Sequence, residues 1–143
     1  MAKKFNFEKK IKEFQKFERT VPKRVGNIAL NHFLESWDNE AFSDGSKGSD
    51  PWAKRKRLTK QDKTTGKRRG ILIGQGTGIL KGSMRLRPGA TFKKIAVGSY
   101  GIEYASRHNR GLSGMPKRQF VGKSKILDRK IRTLISKEIK KIL

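Results

Sequence analysis

Near the start of the chain, apolar residues recur at helical spacing. Phe7, Ile11, Phe14 and Phe17 lie three or four apart, between lysines and glutamates. This predicts an amphipathic helix from Phe5 to Glu18 with a phenylalanine stripe. Thr20 suits an N-cap and Pro22 a first turn, so a second helix is expected to run to about Asp38. Its apolar face would hold Val25, Ile28, Ala29, Phe33, Leu34 and Trp37. Both stripes read as core or subunit interface. Membrane-surface binding fits less well, because the polar faces mix acids with bases.

The periodicity stops from Asn39 to about Arg69. Asp44-Gly45-Ser46, Gly48-Ser49-Asp50-Pro51 and Thr65-Gly66 are turn chemistry. A loop of this length inside one domain is usually functional or mobile, and Trp52 is expected to pin its start to the fold. Gly70-Ile71-Leu72-Ile73-Gly74 suits a strand or the lead into a helix. Ser83–Arg87 and Thr91–Val97 then flank Pro88-Gly89 with alternating apolar residues, which predicts a hairpin whose imperfect phase points to a bulge. Ile102–His108 is ambiguous between strand and short helix, and Arg118–Gly122 reads as a further strand. Ser124 caps a last helix carrying Leu127, Ile131, Leu134, Ile135, Ile139 and Ile142, with Lys137, Lys140 and Lys141 near its end.

The expected architecture is α+β: N-terminal helices, a long basic loop, a small antiparallel sheet of three to five strands and a C-terminal helix. Residues 1–143 read as one domain, with 1–20 a mobile N-terminal helix and 39–69 the long loop. No internal repeat is visible.

Charge changes the picture more than composition does. The formal charge is +24, from 36 Lys+Arg against 12 Asp+Glu. Residues 1–50 hold 10 basic and 8 acidic side chains, whereas 51–143 hold 26 and 4. Nine of the sixteen residues from Lys54 to Arg69 are basic, and only Asp62 is acidic. Such a surface calls for a polyanion, an acidic partner or dispersal over a large face. Lys54, Arg55, Lys56, Arg57, Lys67, Arg68 and Arg69 are therefore candidate contacts to DNA or to an acidic partner. After Trp52 no aromatic interleaves the basic loop, so stacking on single strands is not indicated.

Catalytic chemistry finds little to work with. There is no cysteine and there are two histidines, His32 and His108, so thiolate and multi-histidine metal sites are not expected, nor is any cofactor. Gly74-Gln75-Gly76-Thr77-Gly78 lacks the Gly-Lys-Ser/Thr tail of a phosphate loop, and Ile79 stands where a dinucleotide loop needs glycine. Asp44 and Asp50 lack calcium-loop spacing. The carboxylates after residue 50 are single and scattered, which argues against a general acid/base pair. Arg107 and Arg110 beside His108 favour a neutral imidazole that packs or hydrogen-bonds. No run of apolar residues suits a membrane span or a signal peptide, so a soluble protein made in a cytoplasm is expected.

Several short segments, in order, resemble the phage virion morphogenesis or tail completion family. They are Phe33-Leu34-Glu35-Ser36-Trp37 with Trp52-Ala53-Lys54-Arg55, then Gly76-Thr77-Gly78-Ile79-Leu80-Lys81-Gly82-Ser83-Met84. Tyr104-Ala105-Ser106-Arg107-His108-Asn109-Arg110-Gly111 and Pro116-Lys117-Arg118-Gln119-Phe120-Val121-Gly122 follow. The resemblance covers about residues 25–143. It implies a non-enzymatic structural protein of a phage or prophage virion, acting in tail completion or at the head–tail junction. The implied partners are other tail or connector proteins and further copies of the chain, in a ring through which DNA passes. A non-specific DNA contact would go with that place, and a membrane would not. The implied location is the virion, after assembly in the host cytoplasm. Phe33, Trp37, Trp52, Gly78, Leu80, Tyr104, His108, Gly111, Arg118 and Phe120 would be its structural residues. Gly78 and Gly82 would give tight turns around Leu80, and Tyr104 and His108 would anchor a turn before a loop. Arg118 would lie on a strand leading to Phe120 in the core. The competing expectation is a free-standing nucleic-acid-binding protein that uses the basic loop and the C-terminal face.

Overall fold

A computed structural model describes residues 5–44, 50–57, 63, 64, 66, 70–73 and 78–143. The turn residues 45–49 and 65, Asp62, the candidate contacts Lys67, Arg68 and Arg69, and the glycine-rich 74–77 lie outside the described residues.

Helix α1 runs without interruption from Phe7 to Asn39, where two helices are expected. Its N-cap is Asn6, whose Oδ1 accepts from the Lys9 N–H at 3.0 Å. Thr20 caps nothing, because its hydroxyl donates back to the Lys16 carbonyl at 2.8 Å. Pro22 lies inside the helix and is fully buried. An interior proline costs about 3 kcal/mol, and the packed face around it offsets that cost. At about 100° per residue, Val21, Val25, Ala29, His32 and Ser36 fall on the same arc as Phe7, Ile11 and Phe14. The two expected stripes are therefore one face of one helix. Its end at Glu40 is left-handed, with φ 48°.

Glu40 is a junction. Its carbonyl accepts from the Trp52 N–H at 2.8 Å, and its carboxylate accepts from the Ile71 N–H at 2.7 Å. Strand β1 (Ala41–Phe42) then pairs antiparallel with β2 (Asp50–Pro51), Ala41 opposite Pro51. Ile71 and Leu72 form a turn, not the strand that their run of apolar residues allows, and Leu72 has φ 60°.

Helix α2 (Ile79–Gly82) leads into β3 (Met84–Leu86), which pairs antiparallel with β4 (Val97–Ser99). The second arm of this hairpin begins later than the expected Thr91. Thr91 and Lys94 bond to each other in a tight turn, at 2.9 and 3.0 Å, so 91–94 cannot continue a ladder. That turn, rather than a bulge, accounts for the broken alternation. The described residues thus hold two separate two-stranded sheets in place of one larger sheet. Mixed helix and strand holds as the fold class.

Helix α3 (Ala105–Arg110) resolves the ambiguous 102–108 segment, and Arg118–Gly122 is irregular backbone rather than a strand. Helix α4 (Lys125–Ile142) is capped by Ser124, whose hydroxyl accepts from the Leu127 N–H. It runs antiparallel to α1: Lys130 faces Glu35 at 3.7 Å, and Glu138 faces Arg24 at 3.0 Å. Farther along, the Lys10 ammonium reaches the Ile142 carbonyl. The core lies between α1 and these shorter elements, around Phe33, Trp37, Phe42, Trp52, Leu80, Met84, Phe120 and Leu127. Gly26 lets β3 close in, since a Cβ there would fall 2.4 Å from a methyl of Leu86.

His32 is the buried titratable group in this core, 3% exposed. Its Nε2 donates to the Ser43 carbonyl at 3.1 Å, which leaves Nδ1 unprotonated, 3.9 Å from a Glu35 carboxylate oxygen and without a hydrogen bond. Burial, opposed by that hydrogen bond, lowers its pKa below the ordinary 6.5, and nearby Lys130 lowers it further. The unfolded chain then binds a proton that the folded one refuses, so stability falls as pH drops through about 6.5. Thermal melts from about pH 7.5 to 5.5 should show this loss, and His32→Gln should flatten part of the slope. An unchanged slope in that variant would exclude His32 as its source.

Candidate functional site: an aromatic clasp and an uncovered helix face

Three segments distant in sequence meet at the indole of Trp37. Trp52 approaches it edge-on, with ring centroids 5.7 Å apart, and Phe120 lies at 4.8 Å. All three rings are buried. The Trp52 indole Nε1–H donates to the Gln119 carbonyl at 2.7 Å, joining the segment after β2 directly to the approach to α4. Trp52 therefore does fix the start of the loop. Leu80 is 2% exposed and enters the same core from α2.

Asn109 holds the approach to α4 in place. Its Oδ1 accepts from the N–H groups of Phe120 and Val121, at 2.8 and 2.9 Å, and its Nδ2 donates to the Val121 carbonyl at 3.0 Å. The side-chain amide stands where a neighbouring strand's backbone would, which is why 118–122 patterns like a strand and is not one. Arg118 adds a second tie: its Nε donates to the Ala53 carbonyl at 2.9 Å, and its N–H to the His108 carbonyl at 2.8 Å. Burial, and then the neighbouring Arg55, lower the Arg118 pKa. His108 is also lowered, by burial first and then by Arg118. The basic neighbour that matters comes from the far segment, not from Arg107 or Arg110. The His108 Nδ1 is buried without a partner, and the half-exposed Tyr104 ring meets the imidazole edge-on at 5.9 Å.

Two glycines of the site sit in the left-handed region. Gly78 (φ 58°) precedes α2 and has open space around it. Gly111 (φ 71°) ends α3, and a Cβ there would lie 3.0 Å from the backbone of Lys117. Gly82, also expected in a tight turn, closes α2 with ordinary φ.

The basic loop is uneven. Lys54, Lys56 and Arg57 are exposed, but Arg55 is half-buried and donates to the Gly70 carbonyl at 2.7 Å. Among the described residues no cluster of His, Asp or Glu could hold a metal ion, and no helix is long and apolar enough to cross a membrane.

An uncovered apolar surface lies at the start of α1. Phe7, Ile11 and Phe14 are 72%, 54% and 42% exposed, on the arc that is buried from Val21 onward. Phe5 meets Phe7 edge-on at 4.9 Å, and Phe17 stacks on Phe92 at 5.3 Å. Helix α1 spans about 50 Å and α4 about 27 Å, and the Lys10 ammonium meets the end of α4 at the Ile142 carbonyl, one turn from Phe7. The spacing of the stripe was legible in the sequence; its lack of a cover was not. Asn109 and Glu40 carried no signal beyond their ability to mimic or end backbone structure.

Asn109→Ala should destabilise the fold by about 2–4 kcal/mol, since it leaves two N–H groups unpaired. Gly111→Ala should cost more than Gly78→Ala, because both carry about 1–2 kcal/mol of left-handed strain but only Gly111 also meets backbone. Denaturant titration of the three variants checks both expectations, and equal losses at the two glycines would contradict the second.

Compared with protein-family models, with curated proteins and with solved structures, the chain shows no match to any of them.

Proposed function

We propose that this chain is a non-enzymatic structural subunit of a phage or prophage virion, acting in tail completion or head–tail joining by assembly with itself and with other virion proteins. The observation that carries the assembly part is the uncovered face of α1. Phe5, Phe7, Ile11 and Phe14 expose on the order of 400 Å² together, taking about 200 Å² per full ring. A patch of that size is within the range of the largest apolar patch on a single folded chain, which is often a functional surface. The part specific to phages rests on the order of the short motifs, four of whose residues (Trp37, Trp52, Asn109 and Phe120) meet in one clasp.

In this reading the clasp is scaffold and α1 is the contact. Trp37, Trp52, Phe120, Leu80 and Gly111 set the shape of the subunit. The phenylalanine stripe then buries against a neighbouring copy or a tail or connector protein. The site of action is the virion, after assembly in the host cytoplasm.

Sedimentation of the purified chain at rising concentration tests the contact, and fractionation of phage particles tests the setting. The wild type should associate with itself or bind purified tails, and Ile11→Asp should abolish this while leaving the melting temperature unchanged. A chain that stays monomeric, ignores tails and never accompanies virion proteins would overturn the proposal.

A further inference from the structure

The side of α4 turned away from α1 carries a second surface, of opposite character to the phenylalanine stripe. At about 100° per residue, Lys125, Arg129, Arg132, Thr133, Ser136 and Lys140 fall on one side of the helix. All six are exposed. The apolar residues Leu127, Ile131, Leu134 and Ile142 occupy the other side, where Leu127 and Ile142 are buried. From Lys125 to Lys140 the ridge is about 22 Å long.

Of the two acids of α4, Asp128 is exposed about one turn from Lys125 and Arg132 and forms no ion pair with them. Glu138 sits on the inner side, held by Arg24 at 3.0 Å and Lys141 at 2.7 Å. Lys130 is spent on Glu35. Among the described residues, Lys125, Arg129, Arg132 and Lys140 form no ion pair.

We propose that this ridge binds the phosphate backbone of duplex DNA without reading its sequence. Its chemistry separates the candidate polyanions. Protein interfaces bury apolar and aromatic anchors and are depleted in lysine, whereas the ridge holds only cations and hydroxyls, the groups that contact phosphates. Single-strand binding needs aromatic platforms for the bases, and the ridge has none. Insertion into a bilayer needs a free apolar face, and that of α4 is packed against α1. The exposed loop cations Lys54, Lys56 and Arg57 are the competing surface, and the test below separates the two. The inference stands apart from the assembly reading, which rests on α1.

The test compares two full-length variants of equal charge, R129Q/R132Q/K140Q and K54Q/K56Q/R57Q. Their binding to a mixed-sequence duplex of about 30 base pairs is followed by fluorescence anisotropy from about 50 to 200 mM salt. The ridge variant should lose about tenfold or more in affinity, and its slope of log affinity against log salt should shrink by about 3. The loop variant should change less, and two unrelated duplex sequences should bind alike. Unchanged melting temperatures show that both variants fold. Equal losses in the two variants, or a ridge variant that binds like the wild type, would overturn the assignment to α4. Tighter binding to a single strand of equal length, or to polyglutamate of equal charge, would overturn the assignment to duplex DNA. Loss of self-association in Ile11→Asp with DNA binding intact would show the two surfaces to be independent.

Discussion

The packing of Trp37 between Trp52 and Phe120 is the contact on which the other parts depend. These rings come from the end of α1, the segment after β2 and the approach to α4, so their burial closes the chain in three places. Burying a large side chain contributes about 1.5–3 kcal/mol, and a well-placed ring pair about 0.5–1.5 kcal/mol more. One cost is visible: the buried Trp37 N–H has no hydrogen-bond partner. Leaving such a donor unpaired costs about 1–3 kcal/mol, which the three rings together outweigh. The polar ties to Gln119, Ala53 and Val121 then fix direction, where ring packing alone would allow sliding.

The parts legible in the sequence are those that periodicity and capping decide. Ser124 and the stripe from Leu127 to Ile142 define α4, and Phe33 and Trp37 fall on the buried side of α1. The failures are places where a hydrogen bond, from a side chain or from the backbone itself, redirects the chain. Thr20 looks like a cap and instead bonds back into its own helix. Asn109 supplies the amide that makes 118–122 pattern like a strand. Thr91 folds back on Lys94 and removes a strand that its apolar neighbours imply. Local pattern does not distinguish these cases, since the deciding partner is three or four residues away or on another element. The candidate site divides the same way: its aromatic residues were readable, but Asn109 and the uncovered state of Phe7 and Ile11 needed tertiary structure.

The pair of long helices keeps two kinds of surface apart. Between α1 and α4 the ion pairs are partly exposed and so weakly stabilising, and the apolar seam holds the helices together. Outward, α1 offers rings and α4 offers cations. The excess charge on residues 51–143 thereby gains a direction. Much of what α4 contributes faces solvent on one side, while Glu138 turns toward α1 and Asp128 stays exposed.

The antiparallel pairing of α1 with α4 also has a consequence in time. The 85 residues between Asn39 and Lys125 must be made before the last helix exists to cover the first. At about 5–20 residues per second this takes on the order of 5–20 s. During that interval no part of α4 is available to pack on α1. The first helix thus waits seconds for its partner, and in the finished fold Phe7 and Ile11 are still exposed.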